Sequence, residues 1–283
     1  MYVQYLLAAA VLPIFLLCFF VYKRDPHHEP GGVLAKIFIL GFFSAIPIVG
    51  VEFVLGFLFP TDDVSSFILI FINVFISVAL VEEGFKWIIT LLCGYRNKEF
   101  DEVYDIIVYA VFASLGFACI ENILYVFANG LGNAILRALL SIPGHMCFGV
   151  FMGYFFAQAK VGRINKSSSV FTRNIVLSIL VPTIAHTLYD ALIFYTEYNI
   201  FSILVFFVFD VAMVVMGIVT INKMSKIQQN LDTHLDTGIL KTTDTGELIY
   251  TSVVGSGDIH YCPLCGNNVD GCNYCSHCGF RIR

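Results

Sequence analysis

Apolar residues in this chain run in seven blocks, at 2–21, 33–58, 66–93, 104–127, 134–158, 173–194 and 200–221. About 20 such residues span the hydrocarbon of a bilayer as a helix. Hydrocarbon offers no water to backbone N–H and C=O groups, so each block must bond its backbone internally and becomes a helix. Only 13% of the 283 residues are charged, against about 25% in a soluble domain. The blocks therefore predict an all-α polytopic membrane protein with about seven transmembrane helices, and they exclude a water-soluble enzyme.

The first block has no basic flank before it and no small-residue cleavage site before Lys23, so it reads as an uncleaved helix rather than a secretory leader. Pro13, Pro47, Pro143 and Pro182 fall inside blocks, where they kink helices. Cys18, Cys93, Cys119 and Cys147 lie in or beside apolar blocks and read as packing residues. Basic residues choose the side. Lys23, Arg24, Arg96, Lys98, Lys160, Arg163, Lys166, Arg173, Lys223 and Lys226 all fall in alternate connections or after the last block. The other connections carry Asp62, Asp63 and Glu197, with Arg137 the one basic exception. By the positive-inside rule the N-terminus is outside the cell membrane and the C-terminal tail is cytoplasmic.

Ionisable groups inside hydrocarbon are costly and mark function. The third block holds V-E-E-G-F-K, in which Glu82 and Lys86 are four apart on one helix face. The lysine can neutralise one carboxylate and leave the other for chemistry. Glu83 lies about 100° round the helix from Glu82, so the two are not expected to bury against one neighbour. Glu121 and Asn122 lie deep in the fourth block, beside the small residues Ala113, Ser114, Gly116 and Ala118, which permit close helix contact. His145 follows Pro143, and His186 stands four before Asp190, close enough for the carboxylate to orient the imidazole. Counting residues from the block ends puts Glu82, His145 and His186 near mid-membrane and Glu121 nearer the outer side. Glu52, in the second block, reads as a packing or gating residue.

Two histidines and several acids in a dry cleft suit peptide hydrolysis. A glutamate takes a proton from water, and a histidine supports the oxyanion. Glu121, His145 and His186 also form a chemically reasonable metal-ligand set, although the H-E-x-x-H signature of zinc proteases is absent. A membrane receptor or scaffold, with these groups merely packed as ion pairs, is a competing reading. A proton-coupled transporter is another, but no inverted repeat accompanies it.

At these residues the chain resembles the PrsW family of intramembrane proteases, relatives of the Abi/CAAX prenyl endopeptidases. The matching pieces are E-E-G-F-K at 82–86, Y-D-I-I-V-Y-A at 104–110, G-F-A-C-I-E-N-I-L-Y at 116–125, P-G-H at 143–145 and H-T-L-Y-D at 186–190, with K-R-D-P-H-H-E-P at 23–30 before them. The resemblance covers about residues 1–222. It implies catalytic roles for Glu82, Glu83, Glu121, His145, His186 and Asp190, with Lys86 and Asn122 in support. It also implies a glutamate-activated water without a required metal. The substrate it implies is a single-span membrane protein such as an anti-sigma factor, cut in stress signalling.

Residues 223–260 are polar and read as a linker, with a possible short helix at 223–231 and a possible strand at 247–254. Beyond them, at 261–283, C-P-L-C-G and C-S-H-C-G supply Cys262, Cys265, Cys275 and Cys278. Two such knuckles are the ligand pattern of a structural zinc ribbon, whose metal supplies much of the folding energy. Arg281 and Arg283 make too small a basic patch for nucleic acid. Docking to a cytoplasmic protein partner, or onto the chain's own cytoplasmic face, fits the ribbon better.

Overall fold

The computed structural model describes residues 2–60, 64–164, 167–233, 238–242 and 248–252. The apolar blocks are helices: α1 Tyr2–Tyr22, α2 Gly31–Leu58, α3 Phe67–Val74, α4 Leu80–Ile89, α5 Asp105–Leu139, α6 Ser141–Ile164, α7 Ser168–Phe194 and α8 Ser202–Thr233. A π-helical turn, Phe75–Ala79, joins α3 to α4, and a second, Thr90–Tyr95, comes after α4. Among the described residues, six continuous helical stretches are long and apolar enough to cross a membrane. The expected seven blocks map onto six because the fourth and fifth are one stretch, Asp105–Arg163.

That stretch doubles back on itself. Gly130 sits at φ 78°, ψ −169°, outside helical geometry, in a region that essentially only glycine occupies. Residues at similar distances on either side of it meet. Val126 shares an apolar cluster with Ala134, Glu121 pairs with Arg137 at 2.7 Å, and Ser114 Oγ donates to the His145 carbonyl at 2.7 Å. Further down, the backbone at Gly149 and Gly153 comes so close to Val111 and Ile107 that a Cβ would lie 2.8 and 2.6 Å from their Cα atoms. α5 and α6 are therefore an antiparallel hairpin turning at Gly130. A second bend falls at Leu140, φ −118°, ψ −65°. Pro143, expected to kink its helix, instead occupies the first turn of α6, where its missing N–H is no loss.

The hairpin is the centre of the bundle. Of its most apolar window 78% is buried, whereas no other stretch exceeds 44%. α1 and α2 pack on α5, α7 on α6, and α8 on α6 and α7, with α4 wedged among α2, α5 and α7. The small residues of α5 serve α2: a Cβ at Gly116 would fall 2.2 Å from the Phe38 carbonyl oxygen, and one at Gly41 2.2 Å from that of Ala113. Large apolar side chains such as Phe53, Phe57, Phe207 and Val208 stay exposed on the outer faces of α2 and α8. In a soluble protein they would be a liability; in a bilayer they face lipid. The protein is a multi-pass membrane protein.

The basic connections gather at one end. Lys160 Nζ donates to the Phe100 carbonyl at 2.7 Å, the Val103 N–H to Gln228 Oε1 at 3.3 Å, and Ser225 Oγ to the Arg24 carbonyl at 2.5 Å. Arg24 also reaches Asn222. The same end holds buried acids. Burial, with Glu102 and Glu29 nearby, pushes the Asp25 carboxyl up to about 7. Burial, opposed by a hydrogen bond from Tyr109, pushes Glu29 up to about 6. At the opposite end Leu6 and Ala10 pack with Val126 and Ala134, and Phe67 meets Tyr195 edge-on.

The tail differs from expectation. α8 runs unbroken to Thr233, absorbing the short helix foreseen at 223–231. After it come two strands, β1 Gly238–Thr242 and β2 Leu248–Ser252, paired antiparallel with Gly238 opposite Ser252. They add a hairpin to a fold otherwise helical among the described residues, and β2 falls within the strand foreseen at 247–254. Cys262, Cys265, Cys275 and Cys278, the ribbon ligands expected from sequence, lie outside the described residues.

Candidate active site

α4 presents Glu82, Glu83 and Lys86 inward, all buried, with Glu83 and Lys86 fully so. The expectation that the two glutamates would not share a neighbour fails, because the lysine lies between them. Lys86 Nζ stands 3.0 Å from Glu82 Oε2 and 2.7 Å from Glu83 Oε1. Its third contact is His145 Nδ1, at 3.3 Å. An ammonium has three protons and accepts nothing, so Nδ1 must be an acceptor. That assignment leaves the His145 proton on Nε2, which donates to Glu121 Oε2 at 2.9 Å. The ammonium also lies over the Phe117 ring, 4.3 Å from its centroid.

His186 is held from both sides. Nδ1 faces Glu83 Oε1 at 3.0 Å, and Nε2 faces Asp190 Oδ2 at 3.3 Å. Two ring nitrogens facing two carboxylates are satisfied together by an imidazolium. Phe148 stacks on this ring, centroids 4.8 Å apart, and the His145 ring stands 5.7 Å away.

Glu121, placed by residue counting towards the outer side, lies beside His145 and has two cationic or donor neighbours. Arg137 Nη2 is 2.7 Å from the same oxygen that His145 bonds. The exception to the charge rule is thus a site residue, folded back by the turn at Gly130. Asn122 does not line the cavity. It fixes Arg137 by accepting from Nε at 2.8 Å and ties α5 to α1 by donating to the Ala10 carbonyl at 2.7 Å.

A cavity of about 650 Å³ lies among these groups. Glu82, Glu121, Arg137, His145, His186 and Asp190 line it. Glu83 does not; it is the buttress behind Lys86 and His186. Glu52, read from sequence as packing or gating, does line it, and its Oε1 is buried without a partner. Only its spacing could have flagged it, as a lone acid six residues from the end of an apolar block. Tyr189 also lines the cavity, buried against Phe206. Val49, Leu124, Leu136 and Phe194 line the cavity and are also exposed. The cavity therefore reaches the outer surface of the bundle.

Buried carboxylates and imidazoles around a peptide-sized cavity, inside a helical membrane bundle, define an intramembrane hydrolase. Comparison with known proteins narrows the class. The family model described as PrsW family intramembrane metalloprotease matches residues 29–218, and this chain belongs to that family. It is similar to Protease PrsW of Oceanobacillus iheyensis, 37% identical over 185 residues that cover 65% of this chain and 81% of that protein. It is also similar to Protease PrsW of Halalkalibacterium halodurans, 34% identical over 80% of this chain and 98% of its relative. The Bacillus subtilis Protease PrsW is 34% identical over 72% and 89%. No solved structure matches. The protein is accordingly a membrane peptidase.

The family description implies a metal, and the donors here can be tested for one. Glu82, Glu83 and His145 each offer a ligand atom within 4.8 Å of the others. Lys86 Nζ already sits among them at 2.7–3.3 Å. A zinc ion would need about 2.0–2.2 Å to those atoms, overlapping the ammonium and facing its charge. With Lys86 in place this set does not fit a divalent metal. Glu121, His145 and His186 fit no better: Glu121 is taken by Arg137 and His145, and both nitrogens of His186 face other carboxylates.

Proposed function

We propose that the protein is an endopeptidase that cuts a single-span membrane protein within the bilayer, using Glu82 as the base for a nucleophilic water. The observation that carries this is the cavity, which brings Glu82, Glu121, His145 and His186 from four helices around one volume that reaches the bundle's outer surface. Filled ion pairs with no room for a peptide would have favoured a scaffold.

The positions suggest the steps. A substrate segment enters past the apolar rim and unwinds locally, freeing a carbonyl. Water beside Glu82 loses a proton to the carboxylate as its oxygen bonds to the carbonyl carbon. The developing oxyanion meets the positive charge of His186, with the Nε2–H of His145 and the Arg137 guanidinium on the same cavity wall. The C–N bond then breaks, and the proton held by Glu82 passes to the leaving amine. Glu83 and Asp190 hold His186 charged and aligned, and Lys86 holds Glu82 in place.

We also read the α5–α6 hairpin as two crossings, which makes seven in all, with residues 1–222 the protease core, 223–260 a linker and the C-terminal thiolates a cytoplasmic zinc ribbon that docks a protein. An anti-sigma-like regulator is the substrate that the family resemblance favours. The test is cleavage of single-span substrates by purified protein in proteoliposomes. Glu82→Gln is expected to lose about 10²–10⁴-fold in turnover with unchanged thermal unfolding. Wild-type rates in that variant would overturn the assignment of the base.

A further inference from the structure

A second group of buried acids lies away from the cavity, where the α1–α2 connection meets the head of α5. Asp25, Glu29 and Asp105 are 3%, 6% and 0% exposed. One carboxylate oxygen from each lies within 4.8 Å of the other two. The fold anchors one oxygen on every member. Asp25 Oδ1 accepts from the His27 N–H at 3.2 Å. Asp105 Oδ2 accepts from the N–H groups of Asp101 and Glu102, at 3.1 and 2.7 Å. Glu29 Oε2 accepts from the Tyr109 hydroxyl.

What remains is unsatisfied. Asp25 Oδ2 and Asp105 Oδ1 are buried with no hydrogen-bond partner, and no lysine or arginine pairs with any of the three carboxylates among the described residues. The nearby Lys160 donates to the Phe100 carbonyl, and His27 faces Glu102. Buried carboxylates left unpaired are costly, and they are normally matched by a cation. In the catalytic cavity the chain supplies that cation itself, as Lys86. Here, among the described residues, Lys160 is near enough to act on Asp105 through its charge, but no lysine or arginine forms an ion pair with the three acids.

We propose that Asp25, Glu29 and Asp105 bind a divalent cation of the hard class, Mg²⁺ or Ca²⁺. Three oxygen donors with no nitrogen or sulfur among them select such ions over zinc. The ion clamps the 23–30 connection onto the first turn of α5, the helix that carries Glu121. The site is independent of the proposed chemistry at Glu82 and distinct from the thiolates of the tail.

The test uses the full chain in detergent after exposure to a chelator, with Mn²⁺ as the paramagnetic probe and Mg²⁺ or Ca²⁺ as competitors. One saturable Mn²⁺ per chain is expected, displaced by either competitor, together with a rise in the unfolding temperature on adding Mg²⁺ or Ca²⁺. Both effects should vanish in the Asp25→Asn, Asp105→Asn double variant and persist in Glu82→Gln, Glu83→Gln. Each asparagine keeps a carbonyl for the backbone N–H it must satisfy and removes a like charge. In chelator the Asn pair should therefore unfold no lower than wild type. Absence of saturable binding overturns the proposal, as does binding that survives the Asn pair. Loss of binding in the Glu82/Glu83 variant would move the ion to the catalytic cavity, and so overturns the site proposed here. A fall in the Asn pair's unfolding temperature in chelator would make the acids plain hydrogen-bond acceptors, which also overturns it.

Discussion

Lys86 decides what the buried acids can be. Its ammonium has three protons and three acceptors, Glu82, Glu83 and His145, at 3.0, 2.7 and 3.3 Å. Replacing it by methionine keeps the bulk, leaves the buried Glu82 without its hydrogen-bonded cation and leaves Glu83 with His186 alone. Breaking a buried pair in this way costs about 3–5 kcal/mol, so Lys86→Met should unfold at a much lower temperature or denaturant concentration than wild type in the same detergent. Lys86→Arg should not restore stability, because a planar fork does not direct three bonds to a pyramid of acceptors. Wild-type stability in Lys86→Met would mean that the carboxylates are not both charged. Glu52 carries the opposite expectation. Its Oε1 is buried, unpartnered and on the cavity wall, so Glu52→Gln should leave stability unchanged or raise it by about 1 kcal/mol. A clear loss on thermal unfolding would reveal a partner that the static arrangement lacks. The residues of α4 were legible because charge stands out in an apolar block. Glu52 was not, since nothing in its own block told it apart from an acid at a helix end.

At the scale of elements, sequence reading found the helices and missed how they are aimed. Periodicity places a helix over 66–93, but the π-helical turns at Phe75–Ala79 and Thr90–Tyr95 have no composition of their own. Each inserts extra backbone and rotates the helix beyond it, so the face on which Glu82 and Glu83 lie could not be counted from the ends of the block. The gap between the fourth and fifth blocks was visible as Asn129, Gly130 and Gly132. Its geometry was not, because a helix running up to a single reversing glycine looks like a loop in composition. Gly130 at φ 78° lets Arg137 fold back onto Glu121. An alanine there is strained whatever the space around it, by about 1–3 kcal/mol. Gly132 has open space and no positive φ, so Gly132→Ala is the control. Gly130→Ala should lower the unfolding temperature and reduce cleavage through misplacement of Arg137, while Gly132→Ala does neither. Equal behaviour of the two variants would show that the turn does not depend on the glycine.

For the whole molecule, the arrangement of ends is the testable consequence. The 23–30 connection, Phe100, Lys160 and Gln228 share one end through side-chain to backbone bonds that the sequence could not reveal. The turn at Gly130 and the connection after α7 lie towards the other, where Leu6 and Ala10 meet Val126 and Phe67 meets Tyr195. The first end carries the basic residues that favour the cytoplasm. If the α5–α6 hairpin crosses the bilayer twice, the two ends face opposite compartments. Cys18, Cys119 and Cys147 are buried; with the partly exposed Cys93 and the five cysteines at 262–278 replaced by serine, cysteines introduced at the exposed positions Asn129, Asn199, His28 and Lys98 can report on the sides. A membrane-impermeant maleimide should label Asn129→Cys and Asn199→Cys in intact cells, and His28→Cys and Lys98→Cys only after permeabilisation. Labelling all four from the same side would remove the double crossing, and with it the placement of the cavity within hydrocarbon. An exchanged pattern, with His28→Cys and Lys98→Cys labelled first, would keep the seven crossings and reverse the protein in the membrane. The proposed ribbon would then stand outside the cell, where no reducing pool protects its thiolates from pairing as disulfides instead of binding zinc.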